Sequence, residues 1–351
     1  MAVSSGSFPT LKAGSVATVK GHVEGHSDFQ GLMTASVRDK KVLETCKLND
    51  TSASGASSAF SYYDRPRILF SGSDSVRAGT FSFSFAIPKD IDYEEGMGLV
   101  NIYTIQNDRL VAANGATENF YVGGSAIAGN DSIGPSIYCY LNAPSFVNGG
   151  KVNTTPYFVA KVSDEDGINT SGNGIGHDLE LIIDGKTSQT YVLNDNFRYD
   201  LGSYTSGSTY YNLPELGEGA HKLLFRAWDT LNNSSMAELS FVCVKGLTPE
   251  LYTVSVTENP ANNYTTFIIN HDRTGSEMNV SIDVYDMEGR IWWQHTESGV
   301  PTSSAYTVNW DLTSSSGSRL QTGVYLYRVR ISSDGSSSAT KARKLIIIGN
   351  N

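Results

Sequence analysis

The chain of 351 residues contains no apolar run approaching the roughly 18 residues that a membrane-crossing helix needs, so no such helix is expected. No long window repeats its apolar residues at the helical period, which removes helical bundles and doubly wound folds. A Gly-x-Ser-x-Gly elbow and a Cys-x-x-Cys pair are both missing, and with them the usual signs of a serine hydrolase and of a zinc ribbon. The histidines are scattered, and none reads as half of a zinc site. Cysteine is scarce and odd in number, with Cys46, Cys139 and Cys243 each inside an apolar run. They read as small buried hydrophobes, which argues against a cysteine protease, since burial disfavours the thiolate. The alternative use is a disulfide between Cys139 and Cys243, in the first and last strands of one domain. Net positive charge is also lacking: the formal charge is -10, which speaks against a nucleic-acid partner. The opening Met1-Ala2-Val3-Ser4-Ser5-Gly6 has neither a basic region nor an apolar one, so no signal peptide is visible, and the chain reads as cytoplasmic or as a piece of a longer exported protein.

What is abundant points to strands. Glycine (34) and tyrosine (19) accompany many serines and threonines, which favours short strands joined by tight turns. The length suits two or three domains. The expected fold is all-β, as three consecutive immunoglobulin-like β-sandwich modules over residues 1–124, 125–246 and 247–351. In the first, Ser15 to Val23 and Leu32 to Asp39 alternate at the period of half-buried strands, and Phe81, Phe83 and Phe85 fall on one core-facing side. Asn49 to Ser61 reads as a mobile loop, Ser125 to Gly134 as a linker, and Gly246 to Thr257 as a short join. In the second module, Leu216 to Asp229 is a tight turn feeding a strand that ends in Trp228-Asp229, followed by a turn at Asn232-Asn233. In the third, Tyr325, Tyr327, Val329 and Ile331 share one strand face, while Val324, Leu326, Arg328 and Arg330 share the other. That second face starts apolar and ends charged, so half of it should be covered and half wet.

Three features bear on function. Ser163 to Asp178 is dense in Asp, Asn and Gly, and Asp164, Asp166 and Asp178 offer the hard oxygens that Ca2+ prefers. The competing reading is a long ordered loop whose Asp and Asn side chains cap their own turns and whose glycines take positive φ. Gly172 to Gly176 lacks the spacing and the helix of a dinucleotide loop. Secondly, the last stretch is basic: Arg319, Arg328, Arg330, Lys341, Arg343 and Lys344 stand against one acid, Asp334. This is a solvated strand face or, more sharply, a surface meeting an acidic protein or anionic headgroups. Thirdly, Trp292 and Trp293 are adjacent on a strand and must point opposite ways, so one of them is a candidate partner contact and a weak sugar platform.

The third module resembles the C-terminal sorting domain of the type IX secretion system. The match runs from the Asn259-Pro260 opening through Val284-Tyr285-Asp286-Met287-Glu288-Gly289-Arg290 and Gly323-Val324-Tyr325 to the closing strand Lys341 to Ile348. The middle module resembles the PorU-like sortases of that system, gingipain-family cysteine peptidases, at Ser163 to Gly172, Gly174 to Asp178, Val192 to Asp195, Tyr204 to Gly207 and Ala227 to Ser235. Ile87-Pro88-Lys89-Asp90-Ile91 with Tyr93 is similar to the same family.

In that family the catalytic Cys and His belong to a preceding peptidase domain, which no stretch here matches. The resemblance thus transfers no catalytic residue and implies a noncatalytic tail. It also implies a place at the cell surface and outer membrane of a Gram-negative bacterium. The parent would remove sorting signals from exported cargo proteins and attach those cargoes to lipopolysaccharide. The terminal module would hold it to an outer-membrane barrel partner, with Arg328, Arg330, Lys341, Arg343, Lys344, Trp292 and Trp293 as candidate contacts. The alternative function is a secreted adhesin or glycan-binding protein with a sorting domain.

Overall fold

Most strands form where the alternation predicts them, and the computed structural model describes residues 8–46, 59–126, 131–172 and 176–348. Among these residues there is no α-helix, only two short 3-10 turns at Thr187–Gln189 and Asn194–Asn196. The chain is all-β, built of sandwiches. In the first stretch a four-stranded sheet runs in the order Ala112–Thr117, Leu99–Gln106, Gly31–Arg38, Ile68–Val76. Against it lie the three strands Thr10–Ala13, Tyr121–Ser125 and Gly96–Met97, and the pair Val16–His22 with Thr80–Ala86. Phe83 and Phe85 are buried between the layers with Phe81 partly covered beside them, and Phe70 stacks on the first two at 6.0 and 5.5 Å. Each such ring removed from water is worth about 2–3 kcal/mol.

Three local expectations change. Ser61 belongs to a strand, Ser61–Asp64, which pairs with Val42–Thr45; the rest of the proposed Asn49 to Ser61 loop, through residue 58, lies outside the described residues. Ser125 ends the strand Tyr121–Ser125, so it is not linker, and residues 127–130 also lie outside the described residues. Half of the join at Gly246 to Thr257 is strand: Leu251–Val256 pairs with Thr265–His271, its Val254 being buried. Its polar alternation, with Tyr252 outward, disguised it.

The middle stretch carries a four-stranded sheet in the order Ser136–Leu141, Tyr157–Ser163, Ser206–Asn212, Arg198–Tyr199. Its five-stranded sheet runs Lys151–Val152, Ser234–Cys243, Gly219–Trp228, Glu180–Ile183, Thr190–Val192. By compactness the chain divides into two units. The first comprises residues 1–139, 160–210 and 223–238, and the second residues 140–159, 211–222 and 239–351. Cys46, Cys139 and Cys243 all stand as thiols, and burial pushes the Cys139 thiol up to about 12.

Within the second unit, Leu251–Val256, Thr265–His271 and Ala305–Trp310 form one layer. The other is Ile291–Gly299, Met278–Tyr285 and Gly323–Ser333, the last flanked by both Ser336–Ala339 and Arg343–Ile347. Tyr325, Tyr327, Val329 and Ile331 are buried, as their shared parity predicts. The opening of this module is stitched to its end. The side chain of Asn259 donates from Nδ2 to the carbonyl of Lys344 (3.0 Å) and accepts at Oδ1 from the N–H of Ile346 (2.9 Å). Ala261 continues the ladder, donating to Ile346 and accepting from Ile348 at 2.8 Å each. An amide side chain thus imitates a strand and blunts the edge of Arg343–Ile347, which would otherwise be open to pairing. Asn259→Ala should cost about 1–2 kcal/mol, the price of two hydrogen bonds at a partly wet edge. Faster amide exchange at Ile346 would register it, and unchanged exchange there would refute it.

Candidate functional site: the Ser163 to Asp178 loop and the basic terminal sheet

The strand Tyr157–Ser163 ends where Asp164 donates its N–H to Thr205 O at 2.8 Å. Asp164 Oδ1 then accepts the N–H of Asp166 at 2.9 Å, closing a turn on itself. Asn169 repeats the device, its Oδ1 taking the N–H of Ser171 at 3.1 Å. Gly167, Gly172 and Gly176 all have positive φ, at 100°, 61° and 82°. Both halves of the turn-capping reading are therefore present, and the sequence reason is plain: Asp and Asn satisfy local N–H groups that a strand would have paired.

Beyond the turn the loop becomes a seam inside the first unit. Ile168 is buried and bridges to Asp229, Asn169 is buried with its N–H on Trp228 O at 2.9 Å, and Thr230 donates to Gly167 O at 3.0 Å. From the first stretch, Lys89 N–H reaches Thr230 O at 2.8 Å, and Asp90 Oδ2 accepts from Asn169 Nδ2 at 3.2 Å. His177 lies 3.3 Å from the same Asp90 oxygen, its ring 4.3 Å from that of Trp228. Asp229, fully buried, accepts from the N–H groups of Leu231 and Asn233 and from Asn233 Nδ2 at 2.7–2.9 Å. The Trp-Asp-Thr-Leu-Asn-Asn turn is thus a closed hydrogen-bonded unit on which the loop rests.

The three carboxylates proposed for Ca2+ do not converge. Asp164 and Asp166 line an open cleft of about 510 Å³ with Asp131, Glu165, Thr205 and Ser206. Asp178 instead accepts from Asn194 Nδ2 at 2.9 Å, while Asn194 Oδ1 takes the N–H of Leu179. Among the described residues no group of three or more His, Cys, Asp or Glu is placed to hold a metal, and residues 173–175 of the loop lie outside them. His22 and His26 stand four apart, a spacing that grips a metal on a helix, but His22 ends a strand.

Burial pushes the Asp164 carboxyl up to about 6, opposed by the N–H of Asp166 and reinforced by Asp229, Asp166 and Asp131. Burial and Asp131 likewise raise Asp166. A carboxyl raised in the folded state stabilises below its unfolded value near 4, and that stability is lost as pH rises through about 6. Asp164→Asn keeps the acceptor for Asp166 and removes the charge. It should stabilise at pH 7.5 by about 1 kcal/mol after discounting for solvent, and by nothing at pH 4. Thermal melts at the two pH values decide it, and an equal effect at both would count against the buried charge. Millimolar Ca2+ added to the same melts should shift the midpoint no more than Mg2+ does; a Ca2+-specific rise would restore the cation site.

The terminal sheet sorts the other candidates. Arg328, Arg330 and Lys344 share its outer face, with Arg328 opposite Asp283, Arg330 opposite Ser281 and Lys344 opposite Leu326. Arg343 opens its strand opposite inward-facing Tyr327, and Lys341 lies between strands. Trp293 turns inward, stacked on Trp310 at 4.8 Å and near Phe267 at 6.0 Å, and is withdrawn as a surface contact. Trp292 remains 40% exposed, with Nε1 donating to Asp286 Oδ2 at 2.9 Å. Sequence parity could not choose between the two tryptophans, because a register shift opposite Val284 and Tyr285 breaks the count. Sequence reasoning did not foresee Asp90, Asn194 and Asp229 as partners of the loop, each being distant from it in sequence; the family resemblance marked the stretches that hold all three but not that they meet the loop.

The fold and loops define a chain of β-sandwiches without a helix long and apolar enough to cross a membrane among the described residues. No family model and no curated protein matches it. Among solved structures it is similar to dimeric latent PorU from Porphyromonas gingivalis, with 31% identity over 98% of this chain and a TM-score of 0.44. The chain spans about a third of that protein's length (32%). The FN1–FN3 domains of chicken CNTN1 align over 97% of this chain and 99% of theirs, at 9% identity and a TM-score of 0.23. The Bacteroides ovatus glucan-utilization protein SGBP-B, solved with a mixed-linkage heptasaccharide, aligns over 97% of this chain and 66% of its own, at 8% and 0.27.

Proposed function

We propose that the chain is the noncatalytic C-terminal part of a PorU-like type IX secretion sortase, which positions the peptidase domain and anchors it at the outer membrane. At the cell surface the parent would remove sorting signals from exported cargo and attach the cargo, with a barrel protein of the outer membrane as the anchor's partner. The observation that carries this reading is the stitch between Asn259 and the strand Arg343–Ile347. The Asn-Pro opening and the basic closing strand, which together make the sorting-domain pattern, are two sides of one hydrogen-bonded edge. Gly167 to Asn169 and Asp229 to Asn233, which carry the PorU-like pattern, likewise form one seam. A function of the tail as scaffold and anchor needs such fixed geometry and no nucleophile.

Peptide mapping of the polypeptide recognised at the cell surface by an antibody to this chain is the test. Peptides of a gingipain-like domain in the same polypeptide are expected, and their absence would sink the proposal. Deleting Arg319 to Asn351 is a poor test of anchoring, because it removes Gly323–Ser333, the strand on which three others pair. The alternative of a glycan-binding adhesin stands on the exposed ring of Trp292; glycan-array binding abolished by Trp292→Ala would replace the anchor reading with it.

A further inference from the structure

The outer face of the terminal sheet has two ends of different character. Near the turn at Asp286 to Gly289, Leu326 and Ile291 both pair with Tyr285, Val324 pairs with Ile346, and Trp292, next to Ile291, bonds to Asp286. Farther along, Arg328 lies opposite Asp283, itself opposite Gln294, and Arg330 lies opposite Ser281. The sequence pattern predicts that the apolar half is covered, yet Val324 and Trp292 are each 40% exposed. The polar groups between them are held in place. Gln294 Nε2 and the Tyr285 hydroxyl donate to the two oxygens of Asp283 at 3.0 and 3.1 Å, and Arg290 Nε donates to Asp286 Oδ2 at 2.7 Å.

We propose that this face docks a protein surface whose apolar centre, seated on Trp292, Tyr285 and Leu326, is bordered by carboxylates that meet Arg328, Arg330 and Lys344. The proposal rests on the anchoring role given above and names the face that performs it. Aromatic and Arg anchors beside exposed aliphatic residues are the composition of interface cores. The cations supply complementarity to an acidic rim and a faster encounter. An anionic bilayer fits worse, because the face also carries Asp283 and Asp286. The Trp292 and Arg290 donors and two backbone N–H groups hold Asp286 far below the usual carboxylate range, so it stays charged. A layer of headgroup phosphates repels both carboxylates, whereas a protein can set donors against them.

The experiment measures binding of the purified full chain to outer-membrane fractions of the source cells, intact or shaved with protease, and to phosphatidylcholine vesicles containing phosphatidylglycerol. Binding to intact membranes, its loss on shaving and no binding to vesicles are expected. Arg328→Glu with Arg330→Glu, and separately Trp292→Ala, should each weaken binding about tenfold or more; because the first sets Glu opposite Asp283 and the second removes the bond to Asp286, the thermal midpoint is measured for both and should fall by only a few degrees. Should the charge-reversal pair disturb folding, Lys344→Glu, an exposed site, carries the same test. Binding that survives shaving, binding to the vesicles, variants that bind like the wild type, or no binding to intact membranes would each overturn the proposal. Peptide mapping judges the sortase reading separately, so a gingipain-like domain found in the parent together with unaffected variants would leave that reading standing and remove only this face.

Discussion

Gly167→Ala is expected to destabilise the first unit by about 2–4 kcal/mol. The backbone there sits at φ 100°, which an L side chain rarely adopts, and holding a residue in such a region costs about 1–3 kcal/mol. A Cβ would also stand 2.9 Å from a ring carbon of Tyr204 and 3.2 Å from Ala86 Cβ, so neighbours on two sides must move. Because Gly167 O receives the Thr230 N–H and Ile168 is buried next to it, movement there opens the seam itself. Gly25→Ala is the control: its φ is also positive, at 75°, but nothing lies within 4 Å, so only the conformational cost of about 1 kcal/mol applies. Urea denaturation of the two variants separates the contributions. Equal losses would mean that the close approach to Tyr204 and Ala86 has no energetic weight.

Arg273→Ala should cost about 3–5 kcal/mol in the second unit, the range for breaking a buried charge network on one side. Its guanidinium is fully buried, bonded to Asp272 and, through Nη2, to Leu247 O at 2.6 Å. Its backbone N–H rests on His271 Nδ1 at 2.9 Å. Burial, with the Arg273 charge, drives the His271 imidazole down to about 4, so His271 serves as a neutral acceptor. Truncation leaves the Asp272 carboxylate without its cation and the Leu247 carbonyl without a donor. Arg273→Met combined with Asp272→Asn should recover more than half of the loss, since it removes both charges and refills most of the volume. Failure of the double variant to recover would show that the packing of the arginine stem, rather than the charge pair, holds the segment after Gly246.

The core of the strand Gly323–Ser333 was legible over Val324 to Ile331, because Tyr325, Tyr327, Val329 and Ile331 fall on one parity and the charges of Arg328 and Arg330 on the other; its ends, Gly323 and Ser332-Ser333, were not. The Phe81, Phe83 and Phe85 face was legible for the same reason. Leu251–Val256 and Val42–Thr45 were not: short strands with serine, threonine or glutamate between their apolar residues look like connections until a partner is known. The candidate loop was half legible. Its Asp and Asn residues announce turns, and its glycines announce positive φ, but whether three carboxylates meet depends on where Asn194, Asp131 and Asp229 arrive.

Local composition by itself determined that this chain is all-β, where most of its strands lie, that its terminal stretch is basic on an acidic chain, and which faces of Gly323–Ser333 turn inward. These follow from two-residue periodicity and turn chemistry, which act between near neighbours. Only the tertiary structure decided that Asp178 bonds Asn194 and does not share the cleft of Asp164 and Asp166, that Trp293 goes inward while Trp292 stays exposed, and that Asn259 closes the edge of the last strand. Each of those outcomes is set by a hydrogen bond, a register shift or a ring contact. The partners stand 16 residues apart for Asp178 and Asn194, and 87 for Asn259 and Ile346. Separations of that size carry no local signal, and only the closing of the sheets brings the partners within reach.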